Sequence, residues 1–168
     1  MKHFSHLNKN RLSGQIPENL FSSNMRLLHL LLDRKKLDGM ILASIGTVQT
    51  LEIICIDKNF LGGLVSSSIN NLTSLHVFDL SNNSFYPSEA PIWISEIENV
   101  TTLAIESSRL HGQVPQKLFS FPRLQQVKLS NNSLNGTVDM GSSISEQLQA
   151  VATIAGGSTM VVGNNGRR

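Results

Sequence analysis

The chain of 168 residues is poor in several things, and each scarcity removes a class of protein. It has one cysteine, Cys55, so no internal disulfide can form and neither a disulfide scaffold nor a cysteine-built zinc cluster is open to it. Its net charge is only +2, and no run of lysine or arginine occurs, so nothing points to nucleic acid or a membrane surface as partner. No segment reaches the roughly 18–20 apolar residues of a membrane span; the best, from Ala150 to Val162, is interrupted by glycine. The amino terminus, MKHFSHLNKN, lacks the apolar core of a secretion signal. The glycine-rich loop, H-R-D and D-F-G of protein kinases are absent. The histidines His3, His6, His29, His76 and His111 do not fall at metal-ligand spacing, and Gly62-Gly63 precedes no lysine that would make a phosphate loop. No catalysis, metal or cofactor is therefore expected of this chain.

What is abundant is a pattern. With 40% hydrophobic and 15% charged residues the composition suits a folded domain. The stretches LNKNRLSGQIP from Leu7, LDRKKLDGMIL from Leu32, IDKNFLGGLVS from Ile56, LSNNSFYPSEA from Leu80, IESSRLHGQVP from Ile105 and LSNNSLNGTVD from Leu129 begin 25, 24, 24, 25 and 24 residues apart. Apolar residues recur ahead of each, as in Leu51-Ile54-Ile56 and Leu124-Val127-Leu129, which completes L-x-x-L-x-L-x-x-N-x-L. Asn135-Gly136 alone would signal a hairpin. Its place in a sixth copy makes it part of a coil whose sheet neighbours lie 24 residues away.

The physics of one copy follows from its spacing. The L-x-L pair has a strand's period of two, so Leu103 and Ile105 face the core and Ala104 faces out. A strand so short must pair with the copies on either side, and stacking at about 4.8 Å builds a parallel sheet along one side of a solenoid. Asn10, Asn59, Asn83 and Asn132 occupy the asparagine position, where an inward amide can serve backbone groups of its own and the adjacent coil. Lys35 and Ser108 are departures, and a charged lysine is costly to bury, so Lys35 is expected to loosen its coil or to snorkel outward. The return segments carry Pro17, Pro91, Pro115 and Pro122, which favours extended chain or short helical turns.

The form L-x-x-N-x-L-x-G-x-I-P, at Leu7–Pro17 and Ile105–Pro115, is similar to the plant-specific class of leucine-rich repeat. The resemblance covers roughly Phe4 to Val151. It implies an α/β solenoid, a right-handed superhelix with a parallel sheet on the concave face, short 3-10 or extended return segments and few α-helices. It also implies a second strand row at Gly14, Gly39, Gly63, Gly112 and Gly136. More narrowly, HLNKNRLSGQIPENLFSSNMRLLHLLLD, NNLTSLHVFDLSNNSF and LFSFPRLQQVKLSNNSLNGTVDMGSSISEQLQ resemble the ectodomains of plant leucine-rich repeat receptor-like kinases of subfamily VIII. That family has a signal peptide, a cysteine-bearing cap, the repeats, one membrane span and a cytoplasmic kinase, which implies a plasma-membrane location with the repeats outside. This chain matches only the repeat interior, and Met1 falls where a repeat is already under way, so a fragment or truncated gene model is expected, with a short paralogue as the other reading. Residues 1–151 read as about six copies plus a degenerate seventh. Residues 152–168, TIAGGSTMVVGNNGRR after Ala152, abandon the pattern and are expected to form a poorly ordered tail; the uncapped coils should make solubility marginal.

Function is expected on the outward positions of the concave face. Two residues before the asparagine stand Asn8, Asp33, Asp57, Ser81, Glu106 and Ser130; next come Lys9, Arg34, Lys58, Asn82, Ser107 and Asn131. Between the strand leucines stand His6, Leu31, Cys55, Asp79, Ala104 and Lys128. Lys9, Arg34 and Lys58 either form a solvated ladder with Asp33 and Asp57 or receive an anionic group of a peptide or cell-wall ligand. Cys55 is expected to be accessible, as a spectator thiol or an oxidation site. The sequons are Asn71, Asn82, Asn99, Asn131 and Asn135, of which Asn71 and Asn99 on the return segments are the preferred glycan acceptors and Asn135 a third. The leading expectation is a module that binds a peptide, protein or cell-wall ligand, or a co-receptor, on the concave face. The competing ones are a soluble inhibitor like the polygalacturonase-inhibitor class, an inert truncated product and, last, an enzyme.

Overall fold

A computed structural model describes residues 3–6, 11–139 and 161–163. Strands His3–His6, Leu27–Leu31, Ile53–Cys55, Val77–Asp79, Thr102–Ala104 and Gln126–Lys128 lie side by side, all parallel and in sequence order, one from each of six coils. The register aligns Leu30 with Ile54, Ile54 with Phe78, Phe78 with Leu103 and Leu103 with Val127. These middle leucine positions are buried, and each removes an apolar side chain from water at a gain of about 1.5–3 kcal/mol. The ladder continues past the strand ends, where Leu32, Ile56, Leu80 and Ile105 N–H groups donate to Cys55, Asp79, Ala104 and Lys128 of the following coil.

The return half of each coil is short. 3-10 turns at Ala43–Thr47, Ser67–Asn71, Ile92–Ser95 and Gln116–Ser120 stack on the side opposite the sheet, and no α-helix occurs among the described residues. Ile45, Ile69, Ile94 and Leu118 point inward from these turns to close the core. Coils two and three pack tightly at Gly46, where a Cβ would meet the Ser68 backbone oxygen at 2.2 Å. A second strand row, Ser13–Gln15 with Lys36–Asp38 and Ser88–Glu89 with Leu110–Gln113 and Ser133–Asn135, runs along the flank. The glycines of the G-x-I-P motif sit here with positive φ; at Gly63 (φ +72) a Cβ would also meet Met40 Cγ at 2.6 Å.

The asparagines form the inward ladder their spacing demands. Asn59 Oδ1 accepts from the N–H groups of Lys35 (3.0 Å) and Leu37 (3.2 Å), while its Nδ2 donates to Leu32 and Ile56 carbonyls at 2.9 and 3.0 Å. Asn83 and Asn132 repeat the arrangement, each tying its coil to the one before. Ser108 donates only to Glu106 in its own coil, and the link back to coil four passes instead through Ser81 Oγ, which accepts from Glu106 N–H. Asn10 lies outside the described residues. Lys35 departs from expectation: it is buried, 6% exposed, and its coil is not loosened, since Asn59 accepts from its N–H and the strand before it pairs in register.

Of the chain after Ala152, residues Val161–Gly163 run parallel to Thr137–Asp139; the remainder of that tail lies outside the described residues. No helix among the described residues is long and apolar enough to cross a membrane.

Candidate ligand-binding face

The inner sheet presents its outward side chains as a grid. One column is His29, Ile53, Val77, Thr102 and Gln126; the next is Leu31, Cys55, Asp79, Ala104 and Lys128. All are half-buried except Ala104, which is covered between its register neighbours Asp79 and Lys128. The grid is apolar over coils two to four at Leu31, Ile53 and Val77, and acidic beside that patch.

Asp33, Arg34, Asp57 and Lys58 were expected on outward strand positions, and the structure places them elsewhere. Their strands end at Leu31 and Cys55, so these residues belong to the turn that follows. Arg34, Lys58, Asn82, Ser107 and Asn131 form a row in the left-handed region, with φ between 50° and 57°. Asparagine tolerates that region better than most residues, which suits Asn82 and Asn131 to it, but the charged residues of coils two and three gave no such signal. Consequently Arg34 and Lys58 project from the rim, exposed, and not from the sheet. Lys58 Nζ lies 3.7 Å from Asp57 of its own coil, and Arg34 forms no ion pair among the described residues. Lys9 lies outside them.

The carboxylates, in contrast, converge. Burial raises the Cys55 thiol to about 11, with Asp79, Asp57 and Asp33 adding to the rise through their charge. The Asp57 carboxyl is raised as well, by burial first and then by Asp79, with Lys58 opposing. Cys55 is thus half-buried and held protonated, which favours the spectator thiol over the oxidation site, the two readings its sequence position allowed. Asp79 accepts from the Ser81 N–H at 2.9 Å, and Glu106 accepts from the Ser130 hydroxyl, so both carboxylates are oriented, Asp79 on the sheet and Glu106 in the turn that follows its strand. Lys128 sits beyond Ala104, the covered position, and forms no ion pair among the described residues.

The glycan candidates divide by exposure. Asn71 and Asn135 are exposed, whereas Asn99 is half-buried and its Nδ2, the atom that would carry a glycan, donates to the Thr73 carbonyl at 2.8 Å. Among the described residues no three His, Cys, Asp or Glu side chains come close enough to hold a metal ion.

A parallel sheet of short strands, an inward asparagine ladder, a glycine-bearing second strand row and 3-10 return turns together define a leucine-rich repeat solenoid of the plant type, and the chain belongs to that class. No protein-family model matches it. The chain is 41% identical over 172 residues to a probable leucine-rich repeat receptor-like protein kinase of Arabidopsis thaliana, a match covering 89% of this chain and 18% of the relative. It spans less than a fifth of the length of the first curated relatives it matches. Its fold is similar to the ectodomain of the Arabidopsis thaliana receptor kinase GASSHO1/SCHENGEN3, solved in complex with CASPARIAN STRIP INTEGRITY FACTOR 2. That likeness has a TM-score of 0.69 at 29% identity, over 76% of this chain and 15% of that one. The plant peptide hormone receptor RGFR1, solved in complex with RGF2, matches with a TM-score of 0.66 at 25% identity, over 80% of this chain and 25% of the receptor.

Proposed function

We propose that the chain is a recognition module, the repeat segment of the extracellular region of a plant receptor-like kinase or receptor-like protein, and that it binds an extended peptide segment on the inner sheet without catalysis of its own. The observation that carries this reading is the grid itself: an apolar patch at Leu31, Ile53 and Val77 flanked by Asp33, Asp57, Asp79 and Glu106. Six strands at about 4.8 Å spacing give roughly 24 Å of sheet, which an extended chain of about seven residues at 3.3–3.6 Å each would cross. The segment that fits has apolar side chains over coils two to four and a basic group against the carboxylates. The Asp57 carboxyl, raised by burial first and then by Asp79, supports this sign, because an incoming cation relieves the like-charge repulsion that Asp79 contributes.

The kinship supports the reading, since the GASSHO1/SCHENGEN3 ectodomain was solved in complex with CASPARIAN STRIP INTEGRITY FACTOR 2 and RGFR1 in complex with RGF2. The test is direct titration calorimetry with paired nine-residue apolar peptides that differ by one Arg or one Glu. The Arg peptide should bind, weaken with salt, and lose affinity in the Asp57→Lys and Asp79→Lys variants. Preference for the Glu peptide, with loss on Arg34→Ala and Lys58→Ala, would make the rim cations the reader and overturn the acidic-face assignment. Binding of neither overturns the extended-peptide occupant.

A further inference from the structure

Coil four breaks the rule the other coils keep. Its G-x-I-P segment reads Tyr86-Pro87-Ser88-Glu89, with proline where the neighbours have glycine. The hydrogen bonds record the break. Ser84 and Tyr86 N–H groups donate back to Leu61 and Gly63 of coil three, and then Ser88 and Ala90 donate forward to Arg109 and His111 of coil five. Pro87, with no N–H to give, stands at the switch. It also forms one end of an open groove of about 620 Å3 that runs over coils five and six.

Arg109 lines this groove in a conformation its counterparts do not share. At φ +58 it is left-handed, the one such non-glycine among the described residues outside the turn row; Lys36, Phe60, Ser84 and Ser133, which hold its place in other coils, are not. A non-glycine residue is held there only where the surroundings over-determine it, and such residues cluster at functional positions. Here the Arg109 carbonyl accepts from Ser88 N–H at 3.4 Å, so the switch of coil four fixes the backbone that presents the arginine. Arg109 is exposed and forms no ion pair among the described residues. His111, two residues on, is in register with Ser133 of coil six, and both are exposed and line the groove. Ser107 Oγ accepts from Asn131 Nδ2 at 2.8 Å, which leaves its own O–H to donate. No carboxylate lines the groove; Glu89 is in register with His111 from the coil-four side and stands outside the lining.

We infer that this groove binds a tetrahedral oxyanion, the phosphate or sulfate ester group of a ligand, with the Arg109 guanidinium as its main contact and the Ser107 and Ser133 hydroxyls as further donors. The charge is set by a lining that holds a cation and hydroxyl donors and no anion, and charge-assisted bonds from arginine to such groups are the strong ones. The shape follows from donors that come from two coils about 4.8 Å apart, which reach three oxygens better than two. The groove is far larger than a bare anion, so the group arrives as an ester with its carrier along the groove. The site is on the flank and is independent of the inner face, and no peptide enters its test, so either can fail alone.

The test is a titration of the 15N-labelled full chain with methyl phosphate and methyl sulfate at constant ionic strength, followed at the amide resonances of Ser107, His111 and Ser133. Either ester should shift these peaks together and saturate, the tighter of the two naming the group. Acetate, with two oxygens in one plane, should bind about tenfold more weakly or worse, and sodium chloride should give no saturable shift. Arg109→Asn removes the cation but keeps a residue that tolerates left-handed backbone. Its melting temperature should be no lower than that of the wild type, while ester affinity falls about 10-fold or more. Peaks that stay fixed, move linearly or move as far with sodium chloride overturn the site, and acetate binding as tightly as the esters overturns the tetrahedral assignment. Unchanged ester affinity in Arg109→Asn overturns the role of Arg109, and a lower melting temperature there overturns the reading of its left-handed backbone as serving a ligand.

Discussion

Replacing Asn59 by alanine tests the internal architecture most sharply. The Oδ1 atom is the acceptor for two buried backbone donors, Lys35 N–H and Leu37 N–H, that lie 24 and 22 residues earlier and have no strand partner in its place. Alanine leaves both unpaired at about 1–3 kcal/mol each, or about 2–6 kcal/mol together. The carbonyls of Leu32 and Ile56 lose their Nδ2 donor as well, though a carbonyl tolerates this better than an N–H does. Taking about 4 kcal/mol, and about 2–4 °C per kcal/mol for a chain of this size, the melting temperature should fall by about 8–16 °C. Asn131→Ala is the control for losing an asparagine that bridges no coil backbone, because Asn131 is exposed and its side chain bonds only Ser107 Oγ at 2.8 Å; its left-handed backbone puts about 1–2 kcal/mol at stake. Asn59→Ser should recover little, since serine at this position reaches only its own coil, as Ser108 does. The assay is thermal unfolding by circular dichroism with a urea series to confirm that the m-value is unchanged. A drop within about 2 °C of wild type, or no larger than that of Asn131→Ala, would refute the claim that the amide bridges coils.

Gly46→Ala should destabilise more than Gly63→Ala, although only Gly63 has positive φ. At Gly46 the new Cβ meets a backbone oxygen of Ser68 at 2.2 Å, whereas at Gly63 it meets Cγ and Sδ of Met40, an exposed side chain that can rotate away, and pays mainly the left-handed strain of about 1–2 kcal/mol; equal melting temperatures would contradict the coil contact. Cys55, with its thiol at about 11, should react with a disulfide reagent at pH 8 about tenfold more slowly than in urea, the roughly hundredfold smaller thiolate fraction being partly offset by the greater nucleophilicity of a high-pKa thiolate; an equal or faster native rate would refute it. Asp57→Asn should raise the melting temperature at pH 7 and have a vanishing effect below pH 3.8. The folded carboxyl is raised above its ordinary 3.8, so the native state takes up the proton first and this group adds stability as pH falls through its folded value, the reverse of a salt-bridged carboxylate. A gain that is the same at both pH values would show that charge is not its origin.

The scaffold was legible because its determinants repeat. A period of 24 or 25 residues repeats the strand six times, the asparagine four times and the glycine five times, so the parallel order, the core columns and the bonds of Asn59, Asn83 and Asn132 could be read from spacing. The looseness expected of Lys35's coil did not follow from its side chain, because the backbone there is fastened by the next coil's asparagine. Gly46 carried no visible signal, as its need comes from the distance between return turns and not from any motif. Pro87 was visible as a missing glycine, but that its absent N–H lets coil four change partners depends on where Ser88 and Ala90 find acceptors.

The binding face was less legible because charge acts in two dimensions and a repeat alignment displays one. Reading down the column before the asparagines finds Arg34 above Lys58 and suggests a basic stripe. On the folded sheet those two stand at the rim in left-handed turns, one of them paired to Asp57, while Asp33 and Asp57 in one column and Asp79 in another meet along a diagonal around Cys55. At an effective dielectric near 20, two charges about 5 Å apart interact by roughly 3 kcal/mol, and the term falls off with both separation and salt. Neighbours within one or two coils therefore decide the local sign, whatever the sum over the whole chain. A net charge of +2 is compatible with an acidic inner face. Raising ionic strength should accordingly weaken a basic ligand's binding here even though protein and ligand carry charge of the same sign, an outcome that net charge alone would forbid.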